Sequence, residues 1–201
     1  MAGRPRVGVL ALQGDFEAHR RALAARGVDS VEVRTSADLD GVAGLVLPGG
    51  ESTTMLKLMD GTGLAERLAE MIQGGVPALA TCAGVILLAR EVSHPPQRSL
   101  GVLDVAVERN AYGRQIDSAV VALDVADAAA LGAATLEGVF IRAPRVVDLG
   151  AGVSVLARRG SDPVLLRQGN VLAATFHPEL TAGSPVIALF LRSLRNGLSP
   201  A

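Results

Sequence analysis

The chain has a single cysteine, Cys82, so it cannot close an internal disulfide, and the secreted, disulfide-stapled class is excluded. Tryptophan is absent and only 2% of residues are aromatic. Any core must therefore be aliphatic, drawn from the Ala, Val and Leu that dominate the 49% hydrophobic fraction. Lysine occurs once, at Lys57, and the arginines are interspersed with acidic residues to a net charge of −1. No basic run provides an electrostatic footprint for nucleic acid. The apolar runs are too short to span a bilayer. Met-Ala-Gly-Arg-Pro-Arg leads into a short strand with no signal-peptide core, so a soluble cytoplasmic protein is expected. Internal repeats and low-complexity linkers are missing too, and 201 residues suit one domain with a full core.

What is present is a β-then-α alternation. Arg6 to Leu12 reads as a buried strand ending at Gln13-Gly14-Asp15. Phe16, His19, Leu23 and Ala24 then recur at helical spacing up to Gly27. Strands are predicted at Ser30–Val33, Gly44–Leu47 and Ala78–Thr81. Helices are predicted from about Thr53, over Leu64–Ile72 to the stop at Gly74-Gly75, and over Ala83–Arg90. This grammar implies a parallel sheet covered by helices on both faces, a three-layer α/β fold. After Pro95-Pro96 it changes. Gly101–Glu108, Ser118–Val121, Val139–Ala143, Ser154–Ala157, Val164–Gln168 and Val171–Thr175 read as strands that add antiparallel members or a flanking ribbon. A last helix covers Pro185–Arg195.

The chemistry centres on Cys82. A lone cysteine in an apolar segment is ordinarily a small core residue. Here its neighbours Thr81, Ala83 and Gly84 are all small, as a strained strand-to-helix turn requires. The following helix points its N-terminus at the sulfur, which favours thiolate, and places the Ala83 N–H beside any oxyanion formed there. His177 follows a strand and precedes Pro178, and Glu179 can reach its far ring nitrogen, so nucleophile, base and orienting group are all supplied. His19 reads as a surface or interface residue and His94 as a solvated loop residue. One cysteine and scattered histidines lack metal-ligand spacing, so no metal is expected.

Leu47-Pro-Gly-Gly-Glu-Ser-Thr-Thr has no Gly-Lys-Ser/Thr and is not a Walker loop. Two readings of it stand side by side. Gly49-Gly50 form a tight turn with Ser52 or Thr53 capping the next helix, or the Gly50 N–H serves as the second oxyanion donor. Arg109 and Arg142 each end a strand, where a guanidinium can form a surface salt bridge or hold a carboxylate.

Ala-Thr-Cys-Ala-Gly at 80–84 with Phe-His-Pro-Glu-Leu-Thr at 176–181 resembles the class I, triad-type glutamine amidotransferases. Further segments resemble, within them, the glutaminase-subunit family of pyridoxal 5′-phosphate synthase. These are Gly-Val-Leu-Ala-Leu-Gln-Gly at 8–14, Leu-Pro-Gly-Gly-Glu-Ser-Thr-Thr-Met at 47–55, Val-Glu-Arg-Asn-Ala-Tyr-Gly-Arg-Gln at 107–115 and Gly-Val-Phe-Ile-Arg-Ala-Pro at 138–144. The resemblance implies one amidotransferase domain over 1–201 that hydrolyses L-glutamine through a glutamyl thioester on Cys82, with His177 and Glu179 completing the triad. It implies no cofactor. It further implies glutamine-binding positions at Gly50, Glu51, Ser52, Arg109, Ile141 and Arg142, and an oxyanion hole from Gly50 and Ala83. The implied partner is a synthase ring of twelve that receives the ammonia and completes the oxyanion hole on docking, with Gln13 at the docking surface. Ala80 departs from the glycine more usual in that family, and the Ser93–Ser99 loop matches none of its motifs. Three other readings remain. They are a glutaminase serving another synthase such as imidazole glycerol phosphate synthase, a cysteine stress protein or peptidase of related fold, and a silent regulatory subunit.

Overall fold

The structure is a computed structural model that describes residues 6–109, 111 and 119–196. Of the sequence expectations, Ser118 and, within the 107–115 block, Asn110 and Tyr112 to Gln115 lie outside the described residues. Among the described residues twelve strands are found: β1 Val7–Leu10, β2 Ser30–Val33, β3 Gly44–Leu47, β4 Ala78–Thr81, β5 Ala89–Ser93, β6 Leu103–Glu108, β7 Ala119–Val125, β8 Leu136–Phe140, β9 Arg145–Leu149, β10 Ser154–Arg159, β11 Asp162–Gln168 and β12 Val171–Ala174. The helices are α1 Phe16–Ala24, α2 Ser52–Met59, α3 Leu64–Gln73, α4 Ala83–Leu88, α5 Ala128–Leu131 and α6 Pro185–Asn196.

Nine strands form one sheet in the order β2-β1-β3-β4-β12-β11-β10-β7-β8. The pairings from β2 to β12 are parallel. Those from β12 to β8 are antiparallel, matching the change of grammar after Pro95-Pro96. A separate ribbon, β5-β6-β9, flanks the sheet.

Each central strand is buried on both faces, and its alternating side chains divide the core into two layers. Leu45, Leu47, Ala78 and Ala80 face the layer that holds Met55, Leu68 and Leu87 from α2, α3 and α4. Val46, Leu79 and Leu172 face the layer that holds Leu23 of α1 and Val186 and Phe190 of α6. The result is helix, sheet, helix, with an aliphatic core.

The helix predicted over Ala83–Arg90 is shorter. Ala89 leaves the helical region at φ −55°, ψ 149° and the chain continues as β5. The β9 strand and the single-turn α5 were not anticipated either. What matters for function is that β1, β3, β4 and β12 are adjacent and parallel, so the turns after all four open at one edge of the sheet. In open α/β sheets that edge is the ligand-binding crevice.

Candidate active site

Each of the four turns delivers one part of the site. After β4, Cys82 takes φ 46°, ψ −105°, a conformation strained for a residue with a side chain. It is held there by hydrogen bonds from its N–H to the Ala174 carbonyl (2.8 Å) and from the Val85 N–H to its own carbonyl (3.0 Å). Gly84 lets α4 start directly against β3: a Cβ on it would lie 2.1 Å from the Leu47 carbonyl oxygen. Cys82 Sγ makes a long contact of 3.7 Å with the Ile141 carbonyl and shares the cleft with the His177 ring.

After β12, the His177 N–H donates to the Val139 carbonyl at 2.8 Å, and the chain enters a 3₁₀ turn over Pro178–Leu180. That turn puts Glu179 behind the ring, with Oε1 2.7 Å from His177 Nδ1 and a fully buried side chain. Nδ1 is thereby taken, and Nε2 is left for the sulfur. Burial opposes charge on the ring, but Cys82 and Glu179 outweigh it and raise the His177 pKa to about 10. Burial likewise opposes charge on Glu179, and the hydrogen bond from His177 overcomes it and lowers the carboxyl pKa.

The sign of the linkage follows. His177 in the fold lies above its ordinary 6.5, so the stabilisation from its proton is complete below about 6.5 and is lost as pH rises through about 10. The melting temperature is therefore expected to step down around pH 10, and the step should be missing from His177→Gln. One lysine and one tyrosine add little competing titration in that range. Identical alkaline profiles for the two proteins would contradict the assignment.

After β3, the Gly49 carbonyl accepts from the Asp15 N–H at 3.0 Å, and Gly50 sits at φ 151°, open to glycine but strained for other residues. The Glu51 N–H donates to Gln13 Oε1 at 2.5 Å. Gly49 packs on the catalytic-type histidine: a Cβ there would come within 2.4 Å of His177 Cε1. Gly49→Ala should displace the imidazole by a fraction of an ångström to an ångström and lower turnover about a hundredfold. An unchanged rate in a folded Gly49→Ala protein would show that the ring position is not critical.

These turns enclose a cleft of about 110 Å³ lined by Gly50, Glu51, Ser52, Cys82, Ala83, Arg109, Ile141, Arg142 and His177. Every predicted site residue is thus brought together, with Glu179 behind His177. Asp15, Ile86 and Pro144 also line the cleft and were not singled out in the sequence. Arg109 is not a free cation, because its Nη2 lies 3.2 Å from Glu51 Oε1. Arg142 is exposed at φ 47° and has no ion pair among the described residues.

Two expectations are corrected. Ser52 and Thr53 do not cap α2. The N-cap is Glu51, without a side-chain cap bond, and both hydroxyls donate instead to Gln97 Oε1 at 3.1 and 3.0 Å. His19 is not a surface residue. It is 1% exposed, because its spacing with Phe16 and Leu23 places it on the inner face of α1. Its Nε2 lies 3.0 Å from Thr81 Oγ1 and 3.3 Å from Glu179 Oε2. His94, as expected, is exposed, and it faces Glu108 at 3.4 Å. Asp15, His177 and Glu179 place ligand atoms within 4.8 Å of one another, but a metal there would have to displace the His177–Glu179 hydrogen bond.

A large mixed sheet flanked by helices in a three-layer α/β fold is the architecture of class I glutamine amidotransferases. The chain belongs to the SNO glutamine amidotransferase family, whose pattern it matches over residues 9–196. It is 51% identical over 194 residues to "Pyridoxal 5'-phosphate synthase subunit PdxT" of Koribacter versatilis, covering 96% of this chain and 98% of that protein. The protein of the same name from Thermosipho africanus is 50% identical over 190 residues, covering 94% and 99%. A solved structure described as "Crystal structure of glutamine amidotransferase" superposes with a TM-score of 0.86 at 46% identity, covering 94% of this chain and 98% of that one.

Proposed function

We propose that this chain is the glutaminase subunit of a pyridoxal 5′-phosphate synthase, acting as one domain over residues 1–201 and in the cytoplasm. The observation that carries the reading is the placing of Cys82 and His177 in one cleft, with Glu179 Oε1 2.7 Å from His177 Nδ1 behind the ring. It is supported by the curated relatives named as that subunit.

Glutamine enters the cleft with its methylenes against Ile86, Ile141 and Pro144. Its α-ammonium and α-carboxylate need one anion and one cation. Glu51 and Arg142 supply them, with Arg109 fixing Glu51, and leaving either charge unpaired disfavours simple amides. Cys82 Sγ attacks the side-chain amide carbon, forming the C–S bond. His177 gives its proton to the amide nitrogen as the C–N bond breaks and ammonia leaves. His177 then takes a proton from water, whose oxygen displaces sulfur to release glutamate. Glu179 holds the tautomer throughout.

The N–H groups of Ala83 and Gly50 stabilise the oxyanion of each tetrahedral intermediate. The Gly49 carbonyl is turned toward Asp15, and in a trans peptide that sends the Gly50 N–H the opposite way. Two hydrogen bonds, Asp15 N–H to Gly49 and Glu51 N–H to Gln13, tie this segment to the turn after β1. A synthase subunit that docks on that turn therefore moves the oxyanion donor directly. The assembly inferred is twelve glutaminases on a ring of twelve synthase subunits, with ammonia passed inward. Acid-quenched mixtures of chain and L-glutamine should carry a glutamyl adduct on the Cys82 peptide by mass spectrometry. Turnover without any adduct in the wild type, or an adduct retained by Cys82→Ala, would refute the thioester route.

A further inference from the structure

Beneath the triad, α1 contributes one buried polar side chain to an otherwise apolar face, beside Ala18 and Leu23. His19 Nε2 lies between Thr81 Oγ1, at 3.0 Å, and Glu179 Oε2, at 3.3 Å. Glu179 Oε1 is engaged by His177, whereas Oε2 and His19 Nδ1 are buried without a well-formed hydrogen bond. Burial holds the His19 pKa below its ordinary value against the pull of Glu179, so the ring is neutral.

The neutral ring has two tautomers, and the surroundings separate them. With the proton on Nδ1, an N–H would be buried with no acceptor while the Nε2 lone pair faced a carboxylate oxygen. With the proton on Nε2, the N–H meets Thr81 Oγ1 at 3.0 Å with the Glu179 Oε2 charge 3.3 Å from the same nitrogen, and only a ring lone pair is left bare. The second arrangement costs less, because a buried, unpaired N–H and a repelled carboxylate are both avoided.

We infer that His19 is a positioning residue of the site, whose Nε2–H holds Glu179 Oε2 so that Oε1 stays aimed at His177. Glu179 then has an imidazole nitrogen beside each oxygen, His177 Nδ1 2.7 Å from Oε1 and His19 Nε2 3.3 Å from Oε2. Through Thr81, the residue before Cys82, the same ring also ties the nucleophile turn to the histidine turn. Groups acting on the pair are His177 and, at the mouth of the cleft, Asp15. The other elements against the turn, β8 and α6, bring the buried apolar residues Phe140, Val186 and Ile187 to this layer. The inference rests on the glutaminase reading, since His19 acts on the Cys82 reaction only through Glu179 and His177.

Two variants of the full chain, His19→Leu and His19→Gln, are assayed for glutamate release with the synthase subunit present. Glutamine can place an N–H donor close to the former Nε2, whereas leucine fills the space without one. His19→Leu should lower kcat about ten- to a hundredfold with KM nearly unchanged. Losing a donor to the ionised carboxylate also raises the Glu179 pKa, so the acid limb of kcat/KM should move to higher pH. His19→Gln should recover most of the rate and return the limb. Wild-type kcat and acid limb in His19→Leu would overturn the inference, as would a folded His19→Gln no better than His19→Leu. Nitrogen-15 spectra of the wild-type histidines decide the matter even if His19→Leu does not fold. A neutral ring protonated on Nε2 is expected, and a proton on Nδ1 or a doubly protonated ring at neutral pH would overturn it. If instead the wild type releases no glutamate, the glutaminase reading fails, and the tautomer still tests the contact.

Discussion

Cys82→Ala is expected to lower glutamine hydrolysis by about 10⁴-fold or more while the protein stays folded. The substitution keeps the Cβ, the small volume and the backbone hydrogen bonds to Ala174 and from Val85, so the elbow survives. What is lost is the only atom that can form the acyl intermediate. His177, Glu179 and the backbone donors remain, and they can at best activate water against an amide with a poor leaving group. The effect should therefore fall on kcat, with glutamine still bound by the cleft. A folded Cys82→Ala protein within about tenfold of wild type would remove sulfur from the mechanism.

The second large effect is on stability. Gly84→Ala should cost about 3 kcal/mol, a drop of roughly 6 to 12 °C in melting temperature for a chain of this length. The added Cβ would sit 2.1 Å from the Leu47 carbonyl oxygen and 2.9 Å from its carbon. These are backbone atoms of β3, a central strand paired on both sides with β1 and β4, and they cannot give way as a flexible side chain would. Relief must come from α4, which starts at Ala83 and carries Cys82 as its N-cap. Activity should fall together with stability, since the shift that relieves the clash also moves the sulfur. A Gly84→Ala protein that melts as wild type does would show that α4 is held loosely. Calorimetry alone settles this point.

Strands β3 and β4 were legible to the residue because each is a short, largely apolar run, and β2 because Val31 and Val33 alternate with Ser30 and Glu32. The segment Ala83–Arg90 misled because an unbroken apolar run carries no periodicity to separate a buried helix from a buried strand. In the structure it is one of each, α4 and then β5. β9 went unread because Arg145–Leu149 exposes most of its residues and takes its place only by pairing with β6, far back in the sequence.

The triad was legible because the residue types around Cys82 and His177 are themselves constrained by the turn geometry. The ion pair of Arg109 with Glu51 was not, since it joins residues 58 positions apart. The burial of His19 was legible in principle. Its spacing with Phe16 and Leu23 puts it on the apolar face of α1, although histidine is a polar residue. A local cap by Ser52 or Thr53 is one of two readings the loop allows, and their bonds to Gln97 are not legible because that residue is distant in sequence.

The central claim is tested most directly by glutamate release from L-glutamine by the purified chain, measured with and without the synthase subunit of pyridoxal 5′-phosphate synthase. The account predicts turnover that rises when that subunit is added, as the proposed docking on the Gln13–Asp15 turn requires, and turnover at least about 10⁴-fold lower in Cys82→Ala. Turnover indifferent to the synthase would contradict the proposed partner, and no glutamate under either condition would contradict the glutaminase itself.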